Sequence, residues 1–199
     1  MVAEPGGDSQ VSGDRKIRVP ASILFVFEDE ALKTRAQPLL QSLPALSGTP
    51  IRIETAPGIR DHRGPIHAGA FLRERRIALN CTRAEFPRVF VHELGHFIWL
   101  RMGNPARLRF ENLLCAELHV RARGELGWSA EWRKTALTAG DIGGRTRRWR
   151  EYCCESFCDT SAWLYSGVRR HQEFTLAARY RLLRRAWFEE AVKSRQLSI

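Results

Sequence analysis

Lysine is almost missing from this chain: of its 32 basic residues, Lys16, Lys33, Lys134 and Lys193 are the only lysines and the other 28 are arginine. Long apolar runs are missing too. The longest, over residues 86–100, is too short for a membrane span and carries Arg88, His92, Glu93 and His96, which excludes a transmembrane helix there. Residues 1–20 hold Gly, Ser and Asp but no apolar stretch of signal-peptide length, so export by the usual route is not indicated. Repeats and low-complexity tracts are absent, and with them collagen, coiled coil and wholesale disorder. Cysteine is sparse, odd in number and unevenly spaced: Cys81, Cys115, Cys153, Cys154 and Cys158 make no disulfide framework and fit free thiols in a cytoplasmic protein. Neither an aromatic-basic RNA-binding signature nor zinc-finger spacing accompanies the arginines.

What remains is a chain of 199 residues, 44% apolar and 27% charged, a length suited to one domain with a genuine core. The expected organisation is a disordered tail over 1–15 and a single domain over 16–199. The net charge of +10 is concentrated C-terminally: residues 101–199 carry 19 basic against 11 acidic groups, and residues 1–100 carry 13 against 11. Such an excess can form an anion-binding face. The simpler reading of the clusters at Arg145 to Arg150, Arg169-Arg170, Arg181 and Arg184-Arg185 is a set of solvated helix faces.

Apolar patterning divides the chain. The run Ile23 to Phe27 predicts a buried strand, a helix is expected over 29–43 with an interruption at Pro38, and alternation over 51–56 predicts a second strand. Residues 68–81 read as a hairpin or one long strand around the charged centre Arg73 to Arg76. Beyond that point β-branched runs disappear, and helices are predicted over 83–102, 106–126, 129–139, 145–166 and 172–194. Strands first and helices after imply an α+β fold: a small N-terminal mixed sheet with a mainly helical C-terminal half.

The chemistry is concentrated in FPRVFVHELGHFIWLRM, residues 86–102, where His92-Glu93-Leu94-Gly95-His96 is an HExxH motif within a helical run. Residues i and i+4 share a helix face, so two imidazoles reach one zinc ion while Glu93 polarises a metal-bound water. Two histidines and a glutamate in so apolar a helix are costly without partners. A catalytic zinc needs a third protein ligand. The extended motif with a further His six residues on is excluded, because Trp99 stands where a glycine belongs and Met102 where the histidine would be. Glu155 is the best candidate: Asp159 follows it at helical spacing, so one carboxylate can bind metal while the other fixes the tautomer of a ligand histidine. Glu151, one turn earlier, and Asp141 remain alternatives. The crowded Cys153, Cys154 and Cys158 are read as small packing residues rather than a separate metal site. Tyr152 is a candidate oxyanion stabiliser, with Tyr165 and His119 as competitors.

In Val89 to Phe97 and Glu155 to Leu164 the chain resembles the gluzincin group of zinc metallopeptidases, which includes thermolysin-like enzymes and the repressor-cleaving peptidases of mobile elements. These pair HExxH with a downstream glutamate. The resemblance implies a zincin-like fold, one zinc ion bound by His92, His96 and Glu155, Glu93 as general base and Asp159 orienting a ligand histidine. It also implies that the segment 71–79 is a sheet edge that pairs with an extended peptide or protein substrate. Two other readings compete: a non-catalytic module of the same fold that binds nucleic acid or an acidic partner through its Arg-rich helices, and zinc-dependent hydrolysis of a non-peptide amide.

Overall fold

A computed structural model describes residues 24–61, 64–194 and 197–199. The tail expected over 1–15 lies outside the described residues.

The fold is α+β. Strand β1 (Phe25–Phe27) leads into helix α1 (Glu30–Ser42), which starts where the Asp29 carboxylate accepts the Leu32 amide at 2.6 Å. Pro38 lies inside α1 on its exposed side and does not interrupt it, contrary to expectation. Then follow β2 (Leu46–Ser47), β3 (Ile51–Thr55), the small antiparallel pair β4 (Arg60–Asp61) and β5 (Gly64–Pro65), and the hairpin β6 (Ala68–Phe71) and β7 (Arg76–Leu79). The main sheet has the order β1-β3-β7-β6, with β1, β3 and β7 parallel and β6 antiparallel at the edge. The predicted substrate edge is thereby corrected: residues 76–79 form an interior strand held on both sides, and the edge strands of the sheet are β1 and β6.

The helical half comprises α2 (Phe86–Arg101), α3 (Asn104–His119), α4 (Trp128–Thr135), α5 (Ala139–Gly143), α6 (Arg147–Tyr165) and α7 (Ala178–Ser194), followed by a short strand β8 (Leu197–Ser198) parallel to β2. Three boundaries differ from expectation. Helix α3 stops at His119 because Arg121 takes a left-handed conformation (φ 54°), and the Ala122 amide turns back to the Glu117 carbonyl. The predicted helix 129–139 ends early, at Thr135, and Thr138 and Asp141 form a capping box that starts the separate helix α5 at Ala139. Residues 171–177 stay irregular because Thr175 and Leu176 give their amides to the Glu125 carbonyl, at 2.9 Å each. Among the described residues, no helix is long and apolar enough to cross a membrane.

Helix α2 is the axle of the domain. Phe90 meets Phe25 of the sheet on one side, while Trp99 packs on Phe157 of α6 on the other. Gly95 sets how close α6 comes: a Cβ there would stand 3.0 Å from the Cys158 Cα and 3.1 Å from its Sγ.

Candidate metal centre

The HExxH helix carries its polar groups where α2 faces α6. His92 and His96 lie one turn apart with ring centroids at 5.2 Å. From α6, Asp159 Oδ1 lies 2.8 Å from His92 Nδ1. A carboxylate there accepts a hydrogen bond from Nδ1–H, which favours the tautomer whose Nε2 offers the lone pair that a metal needs. Glu155 Oε2 stands 3.3 Å from that Nε2, and Arg133 of α4 holds the other oxygen, Oε1, at 3.0 Å. His96 Nδ1 faces the thiol of Cys154 at 3.4 Å.

Without metal these groups hold one another's charge. Burial works against a charged His92, but Asp159 and Glu155 outweigh it and raise its pKa well above the ordinary imidazole value. Burial likewise opposes charge on His96, and Cys154, Glu93 and Glu155 together outweigh it, bringing His96 to about 9. Burial pushes the Glu155 carboxyl up, but His92, His96 and Arg133 hold it at about 2.

The donor set suits a borderline-soft divalent ion. Ligands bonded at about 2.0–2.1 Å in a tetrahedral zinc sphere stand roughly 3.3–3.4 Å apart, which is the separation of Glu155 Oε2 and His92 Nε2. His92, His96 and Cys158 form a cluster that could hold a metal ion, with ligand atoms within 4.8 Å of one another.

Asp159 also works on its other side. Its Oδ2 accepts the Ala130 amide at 3.1 Å and so caps the N-terminus of α4, the helix that carries Arg133. Gly127 makes room for this, since a Cβ there would overlap the Asp159 carboxylate. Gly127→Ala is therefore expected to cost about 1–3 kcal/mol and to weaken metal binding, because Asp159 must release either His92 or α4. Denaturant unfolding together with metal titration checks both effects.

A cleft of about 340 Å³ opens beside His92 and Glu93, walled by His67 and Ala68 from the sheet edge and by Trp128 and Glu173 opposite. Its carboxylates have distinct employments. Asp159 is bound as described, and Glu173 accepts the Trp128 amide at 2.9 Å and pairs with Arg88 at 2.9 Å. Glu93, though largely buried, has neither hydrogen bond nor ion pair among the described residues.

Several expectations change. Tyr152 is not in the site: it is fully buried, and its hydroxyl donates to Glu125 Oε1 at 2.7 Å. Burial and that carboxylate raise its pKa well above the usual phenol value, so it stays a protonated structural donor. Glu151 pairs with Arg147 at 2.6 Å, and Asp141 spends its carboxylate on Thr138 and Thr146, so each has a structural employment in place of the ligand role. Tyr165 packs its ring on Phe188, and His119 is exposed in the last turn of α3. Arg147, Arg148, Arg150, Arg169, Arg170 and Arg185 are exposed as expected, but Arg145 is half-buried against Glu111, Arg181 is half-buried against the Leu176 and Phe174 carbonyls, and Arg184 is completely buried. All five cysteines are free. Cys153 and Cys158 pack in the core and Cys154 packs against it, as expected, but Cys154 also faces His96 and Cys158 also joins the cluster that could hold a metal ion. The sequence carries a signal for both: Cys154 and Cys158 are i and i+4, and Cys158 follows Glu155 by three, which sets them near one face of α6. Arg133 gives no such signal, because it reaches Glu155 from another helix.

No family model, no curated protein and no solved structure matches the chain, so its likeness to metallopeptidases rests on the residues of this centre.

Proposed function

We propose that the chain is a zinc metallopeptidase of the gluzincin type, with a zincin-like arrangement of sheet, active-site helix and ligand helix. The observation that carries this reading is the unpartnered Glu93 in the cleft, one residue from an imidazole whose Nδ1 is already fixed by Asp159. His92, His96 and Glu155 would hold the ion, which when bound supplies Lewis acidity to acidify a water and polarise the peptide carbonyl.

The protein's own groups do the rest. Glu93 takes the proton of the attacking water and later delivers it to the leaving amine. Asp159 keeps His92 in the Nδ1–H tautomer, and Arg133 keeps the second oxygen of Glu155 from rotating away. The free edge of β6, which runs along the cleft at Ala68, offers backbone donors and acceptors to an extended substrate strand. Five free thiols suit a reducing, cytoplasmic setting.

The test is incubation of zinc-loaded protein with a mixture of unfolded polypeptides, followed by mass spectrometry of new termini. Cleavage that stops on chelation and returns with zinc is expected. Stoichiometric zinc without any cleavage would leave a metal-binding module and sink the peptidase reading.

A further inference from the structure

Cys158 lies where the two helices of the site touch. Its sulfur sits against Gly95, the residue between the two imidazole turns of α2, and is completely buried. It comes from the same helix as Glu155 and Asp159, one residue before the aspartate that orients His92. A thiol that merely filled space at this crossing could be any small apolar side chain. Here the sulfur and both imidazoles present ligand atoms within 4.8 Å of one another, a group compact enough to take one ion. Glu155 meets that cluster at His92 Nε2, 3.3 Å away, and is anchored outside it by Arg133. The other neighbouring thiol, Cys154, hydrogen-bonds Cys158 and faces Nδ1 of His96, the nitrogen turned from the ion if Nε2 binds, and so stands to His96 as Asp159 stands to His92.

We propose that Cys158 is a protein ligand of the metal, bound as thiolate beside His92, His96 and Glu155 so that the reacting water would take a fifth position, with Cys154 serving as the positioning partner of His96. This rests on the reading of the centre as a zinc site and goes beyond its two-histidine, one-glutamate ligand set. On loading, a sulfur–metal bond forms and the thiol proton leaves to solvent. A thiolate makes the site softer, so it selects zinc or cobalt over manganese or magnesium and holds the ion more firmly than a nitrogen and oxygen set does.

Cobalt(II) makes the ligand visible, because a thiolate bound to it gives a near-ultraviolet charge-transfer band that imidazole and carboxylate do not. Wild type, Cys154→Ala, Cys158→Ala and Cys158→Ser are loaded with cobalt and their metal content measured. The expected result is one cobalt per chain in all four, with the band present in wild type and Cys154→Ala and absent from both Cys158 variants. Those two variants should also release the ion to a chelator at least about tenfold faster. The serine variant keeps the volume of the crossing, so loss of its band cannot be ascribed to repacking. Wild type that binds cobalt without the band overturns the proposal and leaves the two-histidine, one-glutamate site intact. A band lost with Cys154 instead overturns the assignment of roles. Failure of wild type to bind cobalt or zinc at all overturns the metal reading together with it.

Discussion

Arg184→Met is expected to lower unfolding free energy by about 3–5 kcal/mol, roughly 10 °C in Tm for a chain of this size. Arg184 stands in the middle of α7, fully enclosed, and its guanidinium is used on every side. It gives Nη2 to Glu117 Oε2 at 2.6 Å and Nη1 to Glu125 Oε2 at 2.7 Å, while Tyr152 and Lys134 bind the remaining oxygen of Glu125 at 2.7 and 3.2 Å. Two carboxylates thus balance two cations inside the protein. Taking out the arginine leaves Lys134 alone against both carboxylates in a medium of low dielectric, and that uncompensated charge, not the lost contacts, is the larger part of the cost. Lysine is no substitute, because a single ammonium cannot serve two carboxylates at once from this position. Replacing the whole set (Glu117→Gln, Glu125→Gln, Arg184→Met) should recover part of the loss. Denaturant melts of the single and triple variants check this; a single variant as stable as wild type would show that water reaches the network.

The contrast between this network and the metal centre shows what a linear reading can see. HExxH and the Glu155–Asp159 pair are legible because each is a local helical spacing, and a helix fixes relative direction over four residues with no knowledge of the fold. The sheet strands are legible by alternation and apolar runs, and the hairpin by its charged turn. Arg184 reads as part of a solvated face, since its two carboxylates lie 67 and 59 residues earlier, one of them on an irregular segment that no periodicity marks. Tyr152 misleads for the same reason: its spacing from Glu155 suggests the site, but its hydroxyl answers to Glu125. The edge strand is displaced by a few residues from its expected place because a hairpin in sequence does not say which arm the rest of the sheet takes. Parallel pairing of β7 with β3 decides that, and it is a tertiary fact.

On the proposed peptidase activity, Glu93→Gln is expected to lower kcat by about 10²–10⁴-fold, with zinc content and KM close to those of wild type. The amide has the size of the carboxylate but takes no proton, so it removes the base and leaves the shape of the cleft. Nor should loading suffer. Glu93 adds to the field that keeps His92 and His96 protonated in the metal-free protein, so its neutralisation makes both imidazoles easier to deprotonate and favours metal binding at neutral pH. No neighbouring carboxylate can take over as base, because each is already held: Asp159 is shared between His92 and the α4 amide, Glu173 between Arg88 and the Trp128 amide, and Glu155 between His92 and Arg133. Steady-state kinetics beside metal analysis separates the outcomes. Loss of rate with zinc retained assigns the base to Glu93. Loss of rate together with zinc would instead make Glu93 a structural member of the centre, and retained rate would place the base on a group outside the motif.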